Sequence, residues 1–240
     1  DAVFLKEDGT PNFCIKDFIM IDGVCKESGQ KTYRYENGEI KSEENYKDGK
    51  KEGKSTAWYP TGEIQLEINY KDGKKEGKSS TWYKNGQLKS KVNYKNDKKE
   101  GVSTSWYQSG EIKSEINYKD DKREGVSTSW YQSGEIKSET NYKDGKKEAK
   151  FASWYQSGQI KSEINYKNGK KEGKSTIWYQ SGQKKSEANY KDNTTDGKRT
   201  MWYENGQKKS EGNYKAGNAG FTVISGLKEG KFTTWYENGQ

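Results

Sequence analysis

The sequence predicts an all-β fold: an elongated, largely single-layer antiparallel meander of tandem 24-residue β-hairpins. Three observations carry the prediction. Trp58, Trp82, Trp106, Trp130, Trp154, Trp178 and Trp202 fall 24 residues apart, and Trp235 completes the set of eight. Each unit holds two segments that alternate apolar and polar residues, such as 78–83 and 88–94, separated by Gly-containing turns. Only 29 of the 240 residues are Leu, Ile, Val or Phe, too little aliphatic volume for a two-layer core of this length. Aromatics at 13% and a net charge of only +8 argue against disorder, so something orders the rings.

The first element, residues 1–28, stands outside the pattern. Phe4, Phe13, Phe18, Ile19 and Met20 make a local apolar cluster. A solenoid needs its terminal edge covered, and this segment is read as an N-terminal cap. Cys14 and Cys25 lie in it. In an oxidising compartment they would close a short disulfide loop, stabilising the cap by about 2–3 kcal/mol; the plain alternative is two reduced core thiols. The chain begins with Asp1 rather than Met, which is read as the start left after a removed leader or as a trimmed start.

The second element is the repeat array, 29–240. Every Trp is followed by Tyr, from Tyr59 through Tyr83, Tyr107, Tyr131, Tyr155, Tyr179 and Tyr203 to Tyr236; Tyr35 holds the same register after Arg34. A second series runs Tyr46, Tyr70, Tyr94, Tyr118, Tyr142, Tyr166, Tyr190, Tyr214. Helix is disfavoured by recurring Gly and by β-branched and aromatic residues. After each Trp-Tyr comes a turn such as Pro60-Thr61-Gly62, where Pro fixes φ near −65° and Thr resists positive φ. A three-residue turn with Gly in the left-handed position fits. Pairing then runs Tyr59–Glu63, Trp58–Ile64, Thr56–Leu66 and Lys54–Ile68, and one unit on sets Val102 opposite Ile116. That register gives one face carrying the Trp series with Ile64, Ile68, Ile112, Ile116 and the second Tyr series. The other carries the Tyr59 series among Lys113, Glu115 and Asn117. At about 4.8 Å per strand, eight two-strand units would extend roughly 75 Å, held by cross-strand pairs of roughly 0.2–1 kcal/mol each.

The last unit differs. Nine extra residues, near 218–226, hold the apolar run Phe221-Thr222-Val223-Ile224. They are read either as a lengthened hairpin packing locally or as a partner-contacting loop. The sequence stops at Glu237-Asn238-Gly239-Gln240, inside a turn, which is read as a cut chain or an open edge.

Composition narrows the chemistry. The absence of His removes His triads, His metal sites and imidazole acid–base work. Two Cys cannot make a four-ligand zinc site alone, and no apolar run approaches the roughly 20 residues of a membrane span. Asp-Gly turns recur without the spacing of a calcium loop, and no carboxylate pair stands out from the repeat. The expectation is therefore no enzyme, no cofactor and no metal.

Glu76-Gly77, then Trp82-Tyr83-Lys84-Asn85-Gly86-Gln87, then Asn93-Tyr94-Lys95-Asn96 recur in each unit. These marks resemble the MORN repeat in its bacterial variant form, over 29–240. Trp-Tyr stands where Tyr alone is usual in that family, and Tyr70-type residues where Trp is common. The resemblance implies β-hairpin repeats, scaffold or interaction roles and no catalysis; bacterial members are often labelled antitoxin-like, and many look secreted.

Candidate binding residues are Trp82, Trp106, Trp130, Trp154 and Trp178 on the aromatic face, with Phe221, Val223 and Ile224 in the extra loop. The alternative for the Trp face is that its rings cover one another. Lysine-rich turns such as Lys71-Asp72-Gly73-Lys74-Lys75 offer a patch for anionic glycan or lipid, but interspersed Glu and Asp weaken the field, and nucleic acid is disfavoured. The reading is a secreted or bacterial cell-surface repeat protein that presents an extended β surface to protein partners or a host or envelope component. The alternatives are a cytoplasmic antitoxin-like binding module and end-to-end assembly of monomers through open sheet edges.

Overall fold

The computed structural model describes residues 4–5, 11–12, 18–21, 24–216 and 226–240. They form strands and turns, with no helix among them. The chain divides into two units, 1–110 and 111–240. Cys14 and the Phe221, Val223 and Ile224 loop lie outside the described residues.

The first unit opens with two small antiparallel ladders. Phe4–Leu5 pairs with Pro11–Asn12, and Phe18–Ile21 with Val24–Glu27, where Met20 sits opposite Cys25. Its main sheet then runs Gly29–Arg34, Ile40–Lys47, Lys50–Lys51 with Gly53–Trp58, Ile64–Lys71, Lys74–Trp82, Leu88–Lys95, and Lys98–Lys99 with Gly101–Trp106. The second unit runs Ile112–Lys119, Lys122–Trp130, Ile136–Lys143, Lys146–Trp154, Ile160–Lys167, Lys170–Trp178, Lys184–Lys191, Thr194–Trp202, Lys208–Lys215 and Leu227–Thr234. Within each unit the pairings of the described residues join neighbours in chain order, and none of them returns from its last strand to its first. Each is an antiparallel meander of hairpins.

The three-residue turn is as expected. Tyr59 N–H donates to Glu63 O at 2.8 Å, Gly62 N–H to Tyr59 O at 2.9 Å, and Gly62 sits at φ +94°. Trp58 faces Ile64. Beyond that pair the expected register fails. Ala57 faces Leu66, Thr56 faces Glu67, Ser55 faces Ile68 and Lys54 faces Asn69. Gln65 is an extra residue, a β-bulge, and one extra residue inverts which side chains share a face. The bulge recurs beside Trp82, Trp130, Trp154, Trp178 and Trp202. In the second unit Val126 accordingly faces Asn141, not a member of the Ile column.

The predicted faces must be redrawn. One face carries Trp58, Thr56 and Lys54 with Ile64, Glu67 and Asn69. The other carries Ala57, Ser55, Leu66, Ile68 and Tyr70. The Trp series and the second Tyr series therefore lie on opposite faces. Ile64 and Ile112 stay with Trp; Ile68 and Ile116 do not; Glu115 and Asn117 move to the Trp side.

A second bulge sets the other end of the hairpin. Lys75 faces Tyr70 and Ser79 faces Ile68, so Glu76-Gly77-Lys78 oppose Asn69 alone. The Asn69 amide fills the gap by donating to Lys78 O at 3.1 Å; Asn117 does so to Val126 O and Asn165 to Lys174 O. The connecting turn, Asp72-Gly73 at φ +51° and +82°, is a two-residue hairpin turn that matches the strand twist.

The core is thin, as the composition required. Its most buried members are small: Ser55, Ser79, Ser175, Ala188 and Thr195 beside Ile68 and Tyr214, all on the Tyr face, with Ala152, Thr176 and Thr200 beneath the Trp side. Serine and threonine hydroxyls pair across strands, as Ser129 with Ser138 and Ser153 with Ser162 at 2.7 Å.

Candidate binding face

What joins one hairpin to the next is a set of repeated polar locks. The first Tyr series donates its hydroxyls to the carbonyl of the next Trp: Tyr35 to Trp58 and Tyr59 to Trp82 in the first unit, Tyr131 to Trp154 and Tyr155 to Trp178 in the second, all at 2.7–2.8 Å. The Glu at this position of the repeat accepts an amide of the next turn: Glu52 from Asp72, Glu76 from Asn96, Glu124 from Asp144 and Glu148 from Asn168, at 2.7–2.8 Å. The second amide of that turn reaches the preceding repeat's backbone, as Gly169 N–H does Lys147 O at 2.8 Å. Hydrogen bonds of this kind are worth about 0.5–1.5 kcal/mol each, more when one partner is charged. The spacing showed Tyr and Glu as repeat marks; their reach across a repeat is visible only in the fold.

The insertion leaves the locks intact. Tyr203 donates to Trp235 O at 3.1 Å across 32 residues instead of 23, and Asn205 to Glu237 O at 3.1 Å.

Half of the lysine side is also structural. The second cation of each Lys-Lys stands over a ring of the next repeat: Lys51 over Tyr70, Lys75 over Tyr94, Arg123 over Tyr142 and Lys171 over Tyr190, at 5.1–5.3 Å. Such contacts contribute about 0.5–1 kcal/mol at exposed sites. One cation per turn on that side is thus also held against a tyrosine ring.

The Trp face is different. Trp82 and Trp106 in the first unit, and Trp130, Trp154 and Trp178 in the second, are half-buried at the strand ends. Among the described residues no other layer covers them within either unit. In the second unit shallow open grooves lie between adjacent hairpins. One, of about 360 Å³, is lined by Trp178, Thr176, Lys174, Lys184, Glu163 and Glu187. The next, of about 410 Å³, is lined by Trp202, Thr200, Lys198, Lys208 and Glu211 among others. Lys184 stands 5.9 Å from the Trp202 ring and Lys208 5.7 Å from that of Trp235. Glu187 accepts from Lys184 at 2.9 Å and Lys174 at 3.1 Å, which lowers its pKa. Lys208, then Lys198, pull the half-buried Glu211 carboxyl down to about 2. These grooves match flat, amphipathic partners by ring contact and paired charge. They hold no isolated acid–base pair.

Among the described residues no group of three or more Asp, Glu or Cys is placed to hold a metal. No helix there is long and apolar enough to cross a membrane, which says nothing of strands.

A family model described as MORN repeat variant matches residues 27–48, 51–72, 75–96, 99–120, 123–144, 147–168, 171–192, 195–216 and 228–240. No curated protein matches. Among solved structures, one titled "Crystal Structure of TcdB2-TccC3-TEV" is 11% identical over 81% of this chain, with a TM-score of 0.20. The chain spans 12% of the length of that one, and a likeness this slight carries no argument.

Proposed function

The chain belongs to the MORN repeat variant family, and from that premise we propose a non-enzymatic repeat scaffold that presents the Trp face of its sheets to a protein partner. The observation that carries this is a division of labour. Tyr hydroxyls, Glu carboxylates and turn amides lock repeat to repeat and recur almost unchanged. The Trp face instead changes its chemistry along the chain, from Val126 and Ile136 to Lys174 and Lys184. A surface that varies over a constant frame is what a binding face needs, and aromatic anchors dominate such interfaces. We extend the proposal to a secreted or cell-surface setting, supported by a cysteine pair, Cys14 and Cys25, in a chain otherwise free of cysteine.

The test is cross-linking of the intact chain to its partner, followed by affinity measurements. Trp154→Ala and Trp178→Ala should weaken binding by roughly tenfold or more, with weak dependence on salt. Unchanged affinity in both variants, with steep loss in salt or on Lys146→Ala and Lys170→Ala, would assign recognition to the turns instead.

A further inference from the structure

On the Trp face one ion pair recurs. Lys54 pairs with Glu67, Lys150 with Glu163, Lys174 with Glu187 and Lys198 with Glu211. In each case the lysine reaches diagonally across the strand pair. The second unit breaks the rule once, at position 126, where the lysine column holds valine. Glu139 is the carboxylate a lysine there would reach, by the register that places Val126 opposite Asn141 and Thr128 opposite Glu139. Neither the Glu139 nor the Glu115 carboxylate has a hydrogen bond or ion pair among the described residues.

Open apolar side chains surround the two carboxylates, with Thr128 and Asn141 on the same face. Val126 is 55% exposed, Ile112 40% and Ile136 39%. Trp130 faces Ile136, and Ala152 stands opposite Glu139 where most repeats carry Thr or Ser. Glu115 and Glu139 flank Thr128 on adjacent strands, so they are two strand spacings apart, about 10 Å.

We propose that Ile112, Val126, Trp130 and Ile136, with Glu115 and Glu139, dock a partner-protein segment that carries two cationic side chains about 10 Å apart beside apolar ones. This deepens the scaffold reading and rests on it. Charge complementarity fixes the occupant. Two unpaired carboxylates in an apolar setting repel an acidic segment and leave a neutral one with uncompensated desolvation. A partner can meet the spacing with Lys or Arg seven residues apart on one face of a helix, about 10.5 Å. The nearby Lys150 does not fill the role, because it is held by Glu163.

The test uses the intact chain and a phage library of random sixteen-residue peptides, panned in parallel on wild type, Val126→Lys and Glu139→Gln. Val126→Lys installs the residue that other repeats carry, so its thermal midpoint should equal or exceed that of wild type. Peptides held by wild type should be rich in Lys or Arg beside Leu, Ile, Val or aromatic residues. They should bind Val126→Lys roughly tenfold or more weakly, and Glu139→Gln more weakly as well. Peptides that bind wild type and Val126→Lys equally but are lost on Trp178→Ala would overturn this site and leave the scaffold reading standing. Retention of acidic peptides, or of none, would overturn the proposal outright.

Discussion

Ala149→Gly should stabilise the chain. In seven repeats the residue after the bulge Glu or its equivalent is Gly, at φ between +72° and +90°, as at Gly53, Gly77, Gly125, Gly173 and Gly197. The repeat at 147–168 carries Ala149 there, at φ +58°. A Cβ in the left-handed region costs about 1–2 kcal/mol. Gly returns part of that by losing about 0.5–1 kcal/mol more backbone entropy on folding. The net expectation is a gain of about 0.5–1 kcal/mol for Ala149→Gly and an equal loss for Gly173→Ala. A side chain at Gly173 or Gly125 would meet nothing within 4 Å, so sterics do not confuse the comparison. Because nearest-neighbour arrays need not unfold in one step, the assay is native-state hydrogen exchange of the hairpins at 146–154 and 170–178, alongside urea midpoints. The local opening energy should rise in the first variant and fall in the second. Equal exchange in all three proteins, or destabilisation by Ala149→Gly, would refute the strain argument.

Tyr155→Phe removes the hydroxyl that reaches Trp178 O at 2.8 Å; urea denaturation should show a loss of about 1–2 kcal/mol, since a part-buried carbonyl is left unpaired. Gly212→Ile puts the residue of other repeats where a Cβ would overlap the Phe232 ring; thermal melts should show destabilisation of about 1–3 kcal/mol from overpacking. Glu211, with its carboxyl held at about 2 by Lys208 and Lys198, favours the folded state above its ordinary pKa of about 4.3. That contribution should fade as pH falls from about 4.5 toward 2, and in Glu211→Gln the acid-side stability curve should flatten in that window.

The period, the hairpins and the thin core were legible in the sequence, because each rests on local chemistry. Trp and Tyr recur at a fixed spacing, Pro60-Thr61-Gly62 admits one turn geometry, and 29 Leu, Ile, Val and Phe side chains cannot fill two layers. The face assignment was not legible. Gln65 and its equivalents look like ordinary members of an alternating strand, and nothing in their residue type marks a bulge. Only the pairing of Ala57 with Leu66 shows that one residue drops out of the count, and that inverts the faces. The tertiary structure likewise decided what the recurring residues do. Glu148 and Tyr155 reveal their partners, the Asn168 amide and the Trp178 carbonyl, only when neighbouring repeats stack. The unpaired Glu139 emerges the same way: the sequence shows valine at 126, but the diagonal reach of Lys150 to Glu163 is needed to see what that valine leaves undone. Short-range rules fix what a strand and a turn must be, whereas a bulge and a lock are settled by hydrogen bonds between segments that the sequence does not place side by side.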